Sequence, residues 1–204
     1  MAIDSYSALT TAVNNWSERS FSAALLADFV SLFESVANRK LGPDYRRLTS
    51  VTVTTNSSGE ASLPTGFVTM RSLTRDLSGS VPLTATSWAA LIGMNPYAFT
   101  DDALFYAIRG STLKVAPVCT DDFIAVIETK LTALSDSNTS NWLLVESPNA
   151  YLFGALAAAE AYNKNFQEAA LWEAKAMGEL SDVVAQSDVA QFGNAELALD
   201  MVTP

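Results

Sequence analysis

The 204-residue chain carries 22 acidic and 12 basic side chains and no histidine, for a formal net charge of −10, and only 17% of it is charged against a usual level of about 25%. That balance excludes the ordinary nucleic-acid-gripping protein, whose affinity comes mainly from Lys and Arg, and the missing histidine removes the commonest general base and metal ligand. One cysteine, Cys119, excludes an internal disulfide.

A chain of this length buries about 70% of the surface that its unfolded form exposes, so a core needs no covalent staple. Cys119 suits folding in a reducing cytoplasm, as a small buried hydrophobe rather than a reactive thiol. No basic segment precedes an apolar run at the N-terminus, and the longest apolar run, Ala150 to Ala159, is shorter than the roughly 20 residues of a membrane span. The protein is expected to be soluble and unexported, with no membrane partner. The sparse charge favours a multimer that hides part of its exterior. The charge is also uneven: residues 146–204 carry nine acidic and two basic groups.

Tyr6, Leu9, Val13 and Trp16 recur at three- and four-residue steps and predict a helix over Ser5 to Trp16. A second helix runs to about Leu41, with Leu26, Phe29, Phe33 and Val36 on one face, Asp28 and Glu34 off it, and Gly42-Pro43 as its stop. The period then changes. Val51 and Val53 alternate with threonines before an Asn56-Ser57-Ser58-Gly59 turn, and Phe67 to Leu73 continues the strand character, so a β-hairpin is the simplest reading. Further strands are expected at Val81 to Thr84, Ala103 to Ile108, Thr112 to Val115 and Phe123 to Leu131. Ser87 to Ile92 suits a helical turn, and Arg109-Gly110-Ser111 a tight connection. Helix returns at Asn149 to about Tyr162, with Ser147 as its cap and Pro148 in its first turn. Another follows from Phe166 through Val184, antiparallel to it across the short Asn163-Lys164-Asn165 link.

These elements predict an α+β fold: a single domain, residues 1–204, whose N- and C-terminal helices (1–48 and 137–188) form a mainly helical core around an inserted antiparallel β lobe (49–136), followed by an extended tail (189–204). In the tail Ala195, Leu197, Leu199 and Met201 alternate with Glu196, Ala198, Asp200 and Val202, a period-two pattern suited to adding a strand to a sheet edge of a neighbouring subunit or inserting against another protein; a frayed terminus or one last helical turn capped by Asn194 is the alternative reading. Trp16, Phe29, Phe33, Trp142, Tyr151 and Phe153 are expected to join the two helix pairs.

Chemistry-bearing motifs are weak. No Gly-rich phosphate loop, Cys pair or nucleophile elbow is present, so no cofactor and no catalytic residue is expected. Ser111-Thr112-Leu113-Lys114 spells the S-x-x-K of penicillin-binding enzymes without its companion motifs. Asp136, Asn138 and Ser140 match alternate ligands of a calcium loop, but Asn141 stands where the bend requires glycine and Ser147 where a bidentate glutamate belongs. Asp101-Asp102 and Asp121-Asp122 offer paired carboxylates, and each pair precedes an expected strand, where Asp commonly makes turns. Arg39, Lys40, Arg46 and Arg47 form the one basic cluster. Cations at a helix C-terminus complement the macrodipole, and an acidic partner is the functional alternative.

Three segments in order carry a family resemblance. They are Asn15-Trp16-Ser17-Glu18-Arg19-Ser20 running into Asp28-Phe29 through Glu34 to Asn38-Arg39; Leu63-Pro64-Thr65-Gly66-Phe67 through Arg71-Ser72-Leu73; and Asn141-Trp142-Leu143-Leu144 followed by Pro148-Asn149-Ala150-Tyr151-Leu152-Phe153-Gly154-Ala155-Leu156. Together they resemble the head-to-tail adaptor (connector, head-completion) proteins of tailed bacteriophages. The resemblance implies a non-enzymatic structural protein of the virion neck, assembled in the host cytoplasm as a homo-oligomeric ring, typically of twelve copies. Its implied partners are the portal protein above, a downstream neck or tail protein below, and double-stranded DNA that passes through the channel without sequence-specific binding. Candidate partner or subunit contacts are Arg39, Lys40, Arg46, Arg47, Leu197, Leu199 and Met201. The competing readings are a carboxylate-based enzyme and a monomeric interaction module.

Overall fold

The structure, a computed structural model, describes residues 2–42, 45–76, 82–94 and 102–192. In chain order its elements are α1 (Tyr6–Trp16), α2 (Ala23–Lys40), a 3-10 turn (Tyr45–Arg47), β1 (Leu48–Thr54), β2 (Glu60–Ser62), β3 (Phe67–Arg75), β4 (Thr84–Ala85), α3 (Trp88–Gly93), β5 (Phe105–Arg109), β6 (Thr112–Ala116), β7 (Asp122–Thr129), α4 (Trp142–Glu146), α5 (Pro148–Tyr162) and α6 (Phe166–Phe192). Helices and sheets are both present, so the fold is α+β. The chain forms two compact units, one from residues 1–46 and 131–204 and the other from residues 47–130.

In the first unit α1 and α2 start where a serine accepts a bond from a free backbone N–H: Ser5 from Ala8 and Ser22 from Leu25. Leu9 and Val13 of α1, and Leu26, Phe29, Val30, Phe33 and Ala37 of α2, turn inward at helical spacing. Asn141, not Ser147, is the side-chain cap of this region. It accepts from Leu144 N at 2.9 Å and starts the short α4, a helix that the apolar pattern alone does not separate from α5. Ser147 caps nothing with its side chain, because its hydroxyl donates to Glu179 Oε2 at 3.0 Å.

Helix α5 is apolar on every side, as a helix enclosed by others is. It packs against α1, α2, α4 and α6. Gly154 marks its closest approach: a Cβ there would lie 2.0 Å from Cδ2 of the Phe33 ring, so no larger residue fits. Phe33 in turn meets the Tyr151 ring edge-on at 5.0 Å. Phe29, Phe33 and Tyr151 are buried, and Trp142 and Phe153 are partly buried against the same core. Trp16 joins α1 to α5 and α6, as expected, but from the surface. It is 55% exposed and lies in a surface aromatic cluster with Phe153 and Trp172, because it ends α1 beyond the last inward position, Val13.

The second unit contains two sheets, with strand orders β1-β7-β3 and β2-β6-β5-β4. The expected hairpin of β1 with β3 does not form, because β7 lies between them, pairing Val53 with Phe123 on one side and Leu73 with Ala125 on the other. The sequence of β7 explains its place: Phe123, Ala125 and Ile127 are all fully buried, as befits a central strand. The Asn56–Gly59 turn leads the chain out of β1 into β2 of the other sheet. Asn56 Oδ1 accepts from Ser58 N and Glu60 N, and Gly59 supplies a φ of +68°. The sheets are not wholly antiparallel, since β4 pairs with β5 in parallel. The β5–β6 hairpin forms across Gly110 as its sequence predicts. Val53, Leu73, Leu113, Val115, Phe123 and Ile127 share one core.

Helix α6 reaches Phe192, so residues 189–192 are helical where an extended tail is expected; the helical pattern simply continues further than its apolar positions advertise. Residues 193–204, with Leu197, Leu199 and Met201, lie outside the described residues, as do Asp101 and Val81.

Two substitutions test this packing by urea denaturation. Phe29→Ala removes a ring held edge-on by Phe21 at 5.2 Å and is expected to cost about 3–5 kcal/mol. Gly154→Ala forces the Phe33 ring aside and is expected to cost about 1–3 kcal/mol; unchanged stability would mean that α2 and α5 do not meet there.

Candidate partner interface

The four cations singled out in the sequence separate into two kinds. Arg39 and Lys40 end α2 in solvent, and Arg39 Nη1 donates to Ser35 Oγ one turn back at 3.0 Å. Arg46 is engaged inside the helical unit. It pairs with Glu146, donates from Nη2 to the Val183 carbonyl at 3.0 Å, and lies over the Trp142 ring with its guanidinium carbon 4.7 Å from the centroid. Arg47 is buried inside the β unit, 3.3 Å from Glu128, and its Nε donates to Thr129 O at 3.0 Å. Sequence adjacency therefore does not make a surface patch: Arg39 and Lys40 are its solvent-facing members.

Glu128 holds two arginines, Arg47 from within the fold and the more exposed Arg71 from β3, each at 3.3 Å. This gives a physical reason for the Arg71-Ser72-Leu73 segment: Arg71 supplies the second cation on a buried carboxylate, and Leu73 fills the core.

Another buried polar centre occupies the helical unit. Glu34 does not lie off the apolar face as its charge suggests. It follows Val30 by four residues and precedes Ala37 by three, and it is buried with them. Glu34 Oε1 accepts from Leu134 N at 2.8 Å and from the Tyr151 hydroxyl at 3.0 Å, and that hydroxyl accepts from Asn141 Nδ2 at 2.6 Å. Asn38, one turn along, takes the Leu131 N–H on Oδ1 at 2.8 Å and donates to Glu34 O at 2.9 Å. Burial pushes the Glu34 carboxyl above the ordinary carboxylate range, against the two donors that favour its charged form. Burial and the neighbouring carboxylate push the Tyr151 phenol up, so it remains a donor. Helical spacing from Val30 and Ala37 was the available signal for Glu34; nothing local pointed to its partners, about a hundred residues away.

The near-miss motifs have structural partners. Lys114 is withdrawn into β6 with its Nζ 2.9 Å from Glu60 Oε1, a neighbour in the β2–β6 register. Arg75 pairs with both Asp102 and Asp121, while Thr54 Oγ1 donates to Asp122. Asn138 closes a turn with Ser135 and donates to Ala133 O. Among the described residues no three His, Cys, Asp or Glu side chains gather at metal-binding spacing, and no helix is long and apolar enough to cross a membrane. Burial and the bond to Asp121 push the Cys119 thiol up to about 11, which leaves it protonated and a poor nucleophile at neutral pH.

The described residues thus form an α+β protein in which buried Arg47, Lys114 and Glu128 are ion-paired, buried Glu34 is held by hydrogen bonds, and Arg39 and Lys40 face outward. A family model described as "SU10 adaptor protein" matches residues 4–197, nearly the whole chain and both of its units. The chain belongs to this family of phage head-to-tail adaptors, structural proteins of the virion. No curated protein matches it.

Two measurements test the buried centres. Because folding raises the Glu34 pKa, the folded state holds its proton more tightly than the unfolded state, and stability is lost as pH rises from about 4.5 through the raised value. Glu34→Gln, which cannot ionise, is expected to show a less negative slope of unfolding free energy against pH in that window; identical slopes would mean that Glu34 is not held in a desolvated site. Glu128→Ala strands the buried Arg47 and is expected to cost about 3–5 kcal/mol in urea denaturation at pH 7.

Proposed function

We propose that this protein is a ring-forming head-to-tail adaptor of a phage or phage-like particle, seated below the portal in the neck, linking capsid to tail and leaving a channel for DNA. The observation that carries the reading is the family match over residues 4–197, which includes both compact units rather than one shared module. In this reading the terminal helices are the adaptor core, the β unit is an insertion between them, and residues 193–204 are a docking tail. Twelve copies close the ring; the portal and a downstream neck or tail protein are its neighbours.

A closed ring repeats one heterologous contact around an axis, so modest contacts per subunit accumulate into a firm annulus. The exposed Arg39 and Lys40 are suited to such a contact because they are unburied cations on an acidic chain. Helix α6 carries five acidic side chains and one lysine. Facing the channel, it would repel the duplex and keep it from adhering during transit.

The enzyme reading has less support. Asp102 and Asp121 share Arg75, and Glu128 holds two arginines, so these carboxylates are neutralised rather than convergent on open space.

Imaging of the particle is the test. The expected result is density for this chain as a closed ring at the neck, next to the portal. Absence from the neck, or scattered single copies there, would overturn the proposal.

A further inference from the structure

Among the described residues, one apolar surface of the helical unit has no cover. Helices α2 and α6 both pack on α5, and between them runs an open groove lined by Leu32 and Val36 of α2, Ala157 and Ala161 of α5, and Met177 of α6. It continues past Met177 toward Leu180, Val184 and Lys40. Its floor is the remaining open side of a helix that is apolar all round: Ala157 is half-buried, Ala161 is exposed, and Leu32 on the wall is 60% exposed. A helix of that composition is ordinarily enclosed on every side.

From the length, charge and direction of the chain that follows α6, we infer that this groove receives residues 195–202 of a second copy. The inference rests on the ring reading above, which supplies the second copy. Length fits first. From Ala169 to Val184 the groove wall spans fifteen helical steps, about 22 Å. The eight residues 195–202 span about 26 Å when extended.

Pattern and charge agree with length. Extended, the segment presents Ala195, Leu197, Leu199 and Met201 on one side. The alanine floor leaves room for these longer side chains, while Glu196 and Asp200 point the other way. One end of the groove is lined by Lys40, with Arg39 beside it in solvent, while the wall further along carries Glu173, so an acidic segment is drawn to the Lys40 end and held off at Glu173. The open groove keeps the outer backbone edge of the segment hydrated, so its N–H and C=O groups are not orphaned.

Direction selects a second copy over the chain's own groove. From Val184, at the near end of the groove, α6 continues eight residues to Phe192, about 12 Å. Helix α6 therefore ends past its own groove, with its axis pointing away from it. Groove and tail are different surfaces of one chain, and joining them from copy to copy is the heterologous contact that a ring repeats.

The test uses the full chain with Cys119→Ser, Ala157→Cys and Leu199→Cys, assembled in particles and oxidised. The expected result is a disulfide between copies, seen as a ladder of covalent multimers on a non-reducing gel and lost with either cysteine omitted. An intrachain bridge, which shifts only the monomer band, would overturn the inference in favour of the chain's own groove. Normal neck assembly without any bridge would overturn it while leaving the ring reading intact. Should the cysteine variant fail to assemble, Ala157→Trp fills the groove at a half-exposed position. That full-length variant is expected to keep the wild-type circular dichroism and to occupy the neck at least tenfold less; wild-type occupancy would overturn the inference. The ring reading itself is judged separately, on the copy number and position of the wild-type chain.

Discussion

The helical unit depends on one buried carboxylate. Glu34 draws the backbone of the returning chain at Leu134, the Tyr151 hydroxyl of α5 and, through it, Asn141 at the start of α4 into one hydrogen-bonded centre. The two halves of this unit lie about a hundred residues apart in sequence, and an apolar interface alone fixes their approach without fixing their register. Directional bonds to a desolvated group do fix it, because any slip leaves Glu34 or Tyr151 without its partner at a cost of about 1–3 kcal/mol each. The desolvation that raises the Glu34 pKa is the cost of that specificity. Asn38 applies the same logic one turn along, receiving Leu131 where the chain re-enters the unit.

The β unit solves the equivalent problem with charge. Glu128 lies on the central strand β7 and is met by Arg47 at the start of the unit and Arg71 from β3, so the strands on both sides of β7 are referred to one anion. A buried pair of this kind adds little net stability over an apolar substitute, but removing one partner is costly. The neighbouring residues Arg46 and Arg47 thus have unrelated duties: one ties α4 to α6 in the helical unit, and the other completes the Glu128 site in the β unit.

How much of this the sequence discloses depends on the range of the interaction. Helices α1, α2 and α6 are legible because burial repeats at a local period, α5 because Pro148 opens a long apolar run, and the β5–β6 hairpin because Gly110 makes its turn. The pairing of β1 and β3 with β7 is not legible, since the whole stretch from Thr54 to Asp122 separates β1 from its partner and a strand's alternation does not name its neighbour. Among candidate interface residues, Arg39 and Lys40 were legible as exposed cations at a helix end. The internal roles of Arg46 and Arg47 were not, because charge alone suggests exposure and only the fold reveals Glu146 and Glu128 opposite them. The family segments nevertheless contribute residues to both buried centres: Glu34, Asn38, Asn141 and Tyr151 in the helical unit and Arg71 in the β unit.

This division of labour fits a protein whose work is mechanical. Each unit keeps its own register through buried, directional contacts that tolerate little displacement, while the surface of the described residues carries an open apolar groove, an aromatic cluster of Trp16, Phe153 and Trp172, and two cations at the end of α2. Apolar surface left open on a subunit carries a solubility cost, and the net charge of −10 offsets it by keeping free copies apart. The same repulsion acts between copies brought side by side in an assembly. A contact that sets cations against acidic residues while covering apolar surface reduces both costs at once, and it favours association only in the orientation that brings those surfaces together.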